Sequence, residues 1–351
     1  MHWTIRHRVR FALAVFWMAS CAVHAQVYPA AAWQKTPTPE AAGWSGAKLK
    51  AAEDYARANL KTDAWMLVHK GVVVYESGPT SKPSDIASVR KSVLDILAGI
   101  YADRGAFPMD KTLAQLGIDD KEPLSEAEKQ ATVRHLMQAR SGVYHPAGNE
   151  TTAMKAARPA RGSRKPGEFF YYNNWDFNAL GTIFQQSTGK TVFESLRDDL
   201  AGPLQMQDFN FDRDVRFARE DASAHPAYVM RLSVRDMARV GLLMSRGGQW
   251  NGRPLVSRAW VDESTQLHST TGPGSGYGYL WWVGLSERYA SRLKFPGKVF
   301  LAAGNLGQFI LVDPVRDIVV AHKVDFEMDP SRDVTSPQFL ELLVRILDAA
   351  P

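Results

Sequence analysis

A serine and a lysine three residues apart on a helix lie on one face, one turn from each other. Ser88-Val89-Arg90-Lys91 has this spacing and opens a run in which Val89, Val93, Ile96, Leu97 and Ile100 recur with helical periodicity. A neutral amine at Lys91 can take the serine proton and turn Ser88 into a nucleophile towards a carbonyl carbon. The start of a helix suits this chemistry, because its free N–H groups and dipole favour a developing negative charge. A third group must pass the proton to a leaving group. Tyr172-Asn173-Asn174, just ahead of another helix, supplies a phenol for that step. Together these residues point to acyl transfer with no histidine and no metal.

The spacing alone is not selective, since Ser45/Lys48, Ser187/Lys190 and Ser291/Lys294 share it. Ser45 reads as the cap of an amphipathic helix. Ser187 and Lys190 flank Gly189 at a helix end, and Ser291 falls in a polar stretch near Pro296 and Gly297 that carries no helical pattern. Only Ser88 follows a hairpin and begins an apolar helix.

The elements that must position these groups can be read along the chain. Residues 26–44, with three prolines, form an extended lead-in to a domain that occupies 45–351. Ser45 starts a helix to about Leu60 with Leu49, Ala52, Ala56 and Leu60 on one side. A hairpin spans Ala64 to Gly78, turning at Lys70-Gly71. From Ser88 to about Arg219 the pattern is helical with long loops. Arg235 to Met244 is an amphipathic helix ended by Gly247-Gly248. Strands are expected at Tyr277–Val283, Val299–Ala302, Gln308–Val312 and Ile318–Lys323, and Ser336-Pro337 opens a closing helix. This order predicts an α/β (α+β) fold: an antiparallel sheet flanked by the terminal helices, with an inserted all-helical lobe at about 88–230. The site would lie in the cleft between the two lobes.

Further segments extend the pattern. Gly99-Ile100-Tyr101-Ala102-Asp103-Arg104-Gly105 follows the serine helix, then come Thr132 to Met137 and Arg140-Ser141-Gly142-Val143. Tyr172-Asn173-Asn174 leads to Phe177 and Leu180-Gly181, followed by Arg235 to Arg239, Tyr277 to Trp282, and Ala302 to Gln308. In this order, from roughly residue 45 to 345, they resemble the serine β-lactamase and penicillin-binding-protein superfamily. The likeness is strongest to its esterase and 6-aminohexanoate-dimer hydrolase branch. The resemblance implies Ser88 as nucleophile, Lys91 as base and Tyr172 as proton shuttle, with Leu180-Gly181 favouring Tyr172 over the overlapping Tyr171. It implies that Asn174 holds the lysine or the substrate, and that the backbone amides of Ser88 and Asn305 bind the oxyanion. Substrate contacts are expected from Asn305, Gly307, Gln308 and Trp282. If residues 277–283 are one strand, Trp281 and Trp282 face opposite ways, and Trp282 is assigned to the cleft.

One departure bears on substrate. Relatives that cleave β-lactams or peptidoglycan carry Lys-Thr-Gly or a close variant on the strand facing the serine, and this sequence has none. The corresponding place reads Ala302-Ala303-Gly304. Losing that charge-assisted contact costs about 2 kcal/mol for an anionic substrate. Uncharged carboxylic esters or small amides are therefore favoured; a β-lactamase or D,D-peptidase is the alternative, and Arg90 a candidate replacement cation.

The remaining features limit other classes. Arg6, Arg8 and Arg10, the apolar run Phe11–Val23 and the small residues of Val23-His24-Ala25 read as an export signal over residues 1–25, with periplasmic delivery and cleavage after Ala25. Lipid attachment at Cys21, the single cysteine, is the less favoured reading. The 42 basic residues outnumber the 37 acidic ones largely through that segment, so nucleic acid is not an expected partner. No Gly-x-Ser-x-Gly elbow, His-Glu-x-x-His pair or nucleotide loop followed by a helix is present. No cofactor is expected, the partner is a small ester or amide, and no mature segment is apolar enough to span a bilayer.

Overall fold

The computed structural model describes residues 26–351, so the export-signal reading and Cys21 lie outside the described residues. The helices are α1 (Gly46–Asn59), α2 (Val89–Asp103), α3 (Leu113–Leu116), α4 (Val133–Met137), α5 (Thr152–Ala157) and α6 (Asn174–Thr188). They continue with α7 (Val192–Ser195), α8 (Phe211–Asp214), α9 (Val234–Ser245), α10 (Arg258–Ser264), α11 (Glu287–Leu293) and α12 (Ser336–Leu347). The strands are β1 (Ala64–His69), β2 (Val72–Ser77), β3 (Ser84–Asp85), β4 (Val215–Ala218), β5 (Ala227–Leu232), β6 (Gln249–Trp250) and β7 (Arg253–Pro254). After them come β8 (Ser269–Gly272), β9 (Ser275–Tyr277), β10 (Trp282–Gly284), β11 (Phe300–Gly304), β12 (Gln308–Asp313) and β13 (Ile318–Lys323).

Eight strands form one antiparallel sheet in the order β2-β1-β13-β12-β11-β10-β9-β8. Strand side chains alternate between faces, and here both faces are covered. Trp65, Leu67, Phe309, Leu311 and Val320 pack with Leu49 of α1 and Phe339, Leu342 and Leu343 of α12. Met66, Val68, Ile310, Val312 and Val319 face the other way, towards α9 and α2. Helix α9 lies so close to this face that a methyl group on Gly241 would sit 2.5 Å from Val319 Cγ1 and 2.8 Å from Ile310 Cγ2. Ser45 and Thr335 cap the two terminal helices with their side-chain oxygens.

Residues 86–232 form the second lobe, built around α2, whose residues from Val89 to Tyr101 are all buried. The expected architecture is therefore present, with one addition. A three-stranded sheet, β3-β5-β4, pairs the chain entering the lobe at β3 with the chain leaving it at β5. The two-residue β3 is too short for alternation to reveal it. Two local expectations are corrected. Tyr277–Val283 is not one strand, because Leu280 adopts a positive φ of 60° and splits it into β9 and β10. Ser291 lies within α11, not in irregular chain, since the helix closes on Lys294 in the left-handed conformation. Among the described residues no helix is long and apolar enough to cross a membrane.

Candidate active site

The chain enters the site through a strained turn. Ile86 donates to the Met230 carbonyl at 3.0 Å, continuing the β3–β5 pairing. Ala87 then takes a φ of 46°, a conformation costly for a residue with a Cβ. The Asp85 carboxylate helps hold it by accepting the Ala87 N–H at 2.7 Å. Ser88 follows as the N-cap of α2, yet its side chain makes no capping bond. Its hydroxyl is thus left for another partner.

That partner is Lys91. Its Nζ lies 2.8 Å from Ser88 Oγ, 2.9 Å from Tyr172 Oη and 2.8 Å from Asn174 Oδ1. Asn174 is oriented by its own amide, which donates to the Asn149 carbonyl at 2.6 Å, so Oδ1 must face the lysine. A carbonyl oxygen only accepts, which fixes one N–H of Lys91 on Asn174. A neutral amine then has one further N–H for Tyr172 Oη and a lone pair for the Ser88 hydroxyl. The three contacts are fully satisfied by an uncharged lysine poised as a base.

The surroundings favour that state. Lys91 is 1 % exposed. Burial holds its pKa well below the usual lysine value, and the neighbouring Arg90 guanidinium adds to the effect. The rings of Tyr172 and Phe177 lie 4.4 and 4.5 Å from Nζ, which favours the ammonium form by about 1 kcal/mol. Stripping water from a buried ion costs several times that, so desolvation wins. Burial moves the Tyr172 phenol the opposite way, up to about 12. Lys91 is thereby shifted towards its proton-accepting form, while the tyrosine still carries its proton at neutral pH. Tyr172 is held by aromatic neighbours: Trp282 stacks on it at 5.4 Å with a 23° interplanar angle, Tyr277 meets it edge-on at 5.9 Å, and Phe177 lies 4.9 Å away.

Strand β11 faces the serine from the other side. A methyl group on Gly304 would sit 2.6 Å from the Ile86 carbonyl oxygen and 3.0 Å from the Ser88 nitrogen. Only a glycine lets β11 come this close. The N–H groups of Ser88 and Asn305 have no acceptor among the described residues, and both residues line the same groove, so they are the candidate donors for an oxyanion. Gly304→Ala is expected to push the strand back and lower kcat by about 10²-fold, the scale of one lost oxyanion donor. Steady-state kinetics on a variant with native far-UV circular dichroism checks this.

A groove of about 460 Å³ opens at Ser88, lined by Tyr172, Trp282, Leu285, Leu301, Asn305 and Leu340 among others. None of its lining residues is charged.

Of the residues expected from the sequence, Ser88, Lys91, Tyr172 and Asn174 converge, and Trp282 and Asn305 line the groove. Gly307 and Gln308 do not. Gly304 pairs with Gln308 across a three-residue turn. That register buries the Gln308 amide, which donates to the Val324 carbonyl at 2.8 Å. The Gly307 carbonyl meets the His322 ring at 2.8 Å behind the sheet. Tyr171 points away and donates to the Met154 carbonyl at 2.8 Å. Trp281 is buried with its indole N–H on Asp95.

Several contributors escaped the sequence reading. Asp95, one turn beyond Lys91, accepts from Trp281 at 2.9 Å and Trp260 at 3.2 Å and so ties the segment before Trp282 to α2. Burial keeps its carboxyl well above the ordinary range. Thr151 and Met154 form a lip of the groove. Ala87 carries the strain. Only Asp95 left a trace, as an acid four residues from Lys91 in an apolar helix.

Residues 49–323 match the family model described as Beta-lactamase. Solved structures with the same fold include a Bacillus anthracis protein provisionally named a 6-aminohexanoate-dimer hydrolase, 21 % identical with a TM-score of 0.64, over 84 % of this chain and 79 % of that one. The octameric penicillin-binding-protein homologue of Pyrococcus abyssi is 18 % identical with a TM-score of 0.61, over 87 % and 78 %. EstCE1, a hydrolase with promiscuous acyltransferase activity, is 15 % identical with a TM-score of 0.60, over 87 % and 97 %. The family match spans most of the chain and contains the serine, lysine and tyrosine that meet at the groove: the chain belongs to the beta-lactamase family and is a serine hydrolase.

Proposed function

We propose that the protein cleaves carboxylic ester or small amide bonds through an acyl-enzyme on Ser88. The observation that carries this reading is the buried Lys91 amine, 2.8 Å from the Ser88 hydroxyl and 2.9 Å from the Tyr172 phenol, at the mouth of a groove without charged walls. Ser88 Oγ attacks the carbonyl carbon as its proton moves to Lys91 Nζ. The oxyanion is held by the Ser88 and Asn305 N–H groups. Tyr172 gives its proton to the departing oxygen or nitrogen and is reprotonated from Lys91, which returns that amine to its neutral form. The carbonyl–leaving-group bond breaks and the acyl group stays on Ser88. Water then attacks the ester with the proton path reversed, releasing the acid and restoring the hydroxyl.

The uncharged groove and the Ala302-Ala303-Gly304 strand support esters and amides with a neutral leaving portion over β-lactams. Purified protein is expected to hydrolyse short-chain p-nitrophenyl esters and to gain one fluorophosphonate adduct, mapped to Ser88 by peptide mass. Rapid nitrocefin turnover with negligible esterase activity would make it a β-lactamase, and absence of both labelling and turnover a binding protein. Trp282→Ala is expected to lower kcat/KM for p-nitrophenyl esters about tenfold, because the ring both walls the groove and stacks on Tyr172. We also propose action outside the cytoplasm, supported by the basic and apolar pattern of residues 1–25. Mature protein beginning at Gln26 in a periplasmic extract tests that assignment; retention of Met1 in the cytoplasm overturns it.

A further inference from the structure

A second cavity, of about 170 Å³, opens from the same serine on the side away from the aromatic groove. The two share Ser88, Thr151, Met154 and Asn305. Tyr172 lines only the large groove, whereas Arg90 and Asn174 line only the small one. The group that protonates the leaving atom therefore faces the large groove, which assigns the leaving portion of the substrate there and leaves the acyl portion for the small cavity.

Arg90 is the unusual wall of that cavity. It is 3 % exposed and makes no direct ion pair among the described residues, although its charge favours the ionised carboxyl of Asp85 in the same cavity. Its Nη2 donates to Asn178 Oδ1 at 3.2 Å and its guanidinium lies 4.2 Å above the Tyr228 ring, but Nη1 makes no hydrogen bond. A buried cation with no carboxylate in direct contact is unfavourable, and stacking on one tyrosine offsets only part of that cost. A carboxylate entering the cavity supplies what is missing. Asp85 also lines the cavity, which opposes a dianion such as phosphate more strongly than a single carboxylate.

Resting on the hydrolase reading above, we propose that the small cavity receives a short acyl chain ending in a carboxylate, and that Arg90 is its anchor. The substrates are then half-esters or half-amides of short dicarboxylic acids, with a neutral alcohol or amine in the aromatic groove. This places the cation on the nucleophile helix, not on the strand facing it.

The test compares ethyl hydrogen succinate and ethyl hydrogen glutarate with the uncharged ethyl butanoate and ethyl pentanoate, in wild-type protein, Arg90→Gln and Arg90→Lys. Arg90 also influences Lys91, but that effect is common to both ester classes and cancels in their kcat/KM ratio. Wild type is expected to prefer the charged esters about 30-fold, Arg90→Gln to lose most of that preference, and Arg90→Lys to recover part of it. Should the arginine variants fail to fold, wild type alone decides: 4-acetoxybutanoate, with its carboxylate on the alcohol side, must gain no preference over butyl acetate. Calorimetric titration of glutarate into Ser88→Ala separates binding from turnover. Equal rates for charged and uncharged esters, or a ratio indifferent to Arg90, overturn the subsite and leave the hydrolase standing. Glutarate binding without cleavage of any ester overturns the hydrolase and leaves the subsite. Neither binding nor cleavage removes both.

Discussion

Ser88→Ala is expected to lower kcat for p-nitrophenyl esters by about 10⁶-fold, the scale seen when a nucleophile acting within a catalytic unit is removed. The expectation follows from what surrounds Lys91 Nζ. Its three polar partners are Ser88, Tyr172 and Asn174. Of these, Asn174 cannot be a nucleophile here, and the Tyr172 hydroxyl keeps its proton with a pKa pushed up to about 12. Among the described residues no hydroxyl besides Ser88 and Tyr172 meets Lys91 Nζ, so none activated by that amine inherits the attack. The residual rate reflects only water activated in the groove and whatever the two N–H donors still stabilise. Intact-mass spectrometry after a brief substrate pulse must show no acyl adduct; an adduct that persists in this variant would assign the nucleophile elsewhere.

Lys91→Met carries the second large effect, a loss of about 10⁴-fold in kcat, because general-base assistance to the serine disappears with the amine. It also changes the shape of the pH profile. In the native protein the active species has Lys91 neutral, so activity rises with pH through the folded lysine pKa, which burial and Arg90 hold well below its ordinary value. Tyr172 stays protonated until about 12 and sets no limb in the neutral range. The variant should therefore show a low rate without the lysine limb. Stability moves in parallel. Between the depressed folded pKa and the ordinary unfolded one, the unfolded chain binds a proton that the folded chain lacks, so this group makes folding more favourable as pH rises. Its contribution is complete above the unfolded value and is lost as pH falls towards the folded one. Denaturant titrations across alkaline pH should show that dependence in the native protein and not in Lys91→Met. An unchanged activity profile in the variant would remove lysine from the mechanism.

The part of this site that local pattern reveals is the part that local geometry builds. Ser88 and Lys91 meet because one helical turn brings them together, and the apolar run behind them shows that the helix is real. Tyr172 and Asn174 are legible from their place before α6, although only the folded chain shows that Asn149 aims the Asn174 amide at the lysine. What stays hidden depends on register and long-range packing. Nothing in a lone alanine announces a left-handed Ala87. The pairing of Gly304 with Gln308 decides which side of the hairpin faces the groove, and it turned Gly307 and Gln308 away from it. Asp95 gains its meaning from two tryptophans contributed by distant segments, Trp260 and Trp281. The same logic explains the fold: long amphipathic helices and the β12–β13 hairpin were readable, whereas the two-residue β3 and the break at Leu280 were not.

Helix α2 bears the nucleophile and base at one end and is buried from Val89 to Tyr101. The walls of the large groove come from other segments, chiefly Thr151–Met154 and Thr271–Leu285, with Leu301–Asn305 and Ser336–Leu340 beside them. Reaction and the choice of leaving group are thus written on separable parts of the molecule. Retargeting the leaving-group side by directed evolution should concentrate libraries on Thr151–Met154 and Thr271–Leu285 and spare the central rod, which carries the base and the proposed acyl anchor.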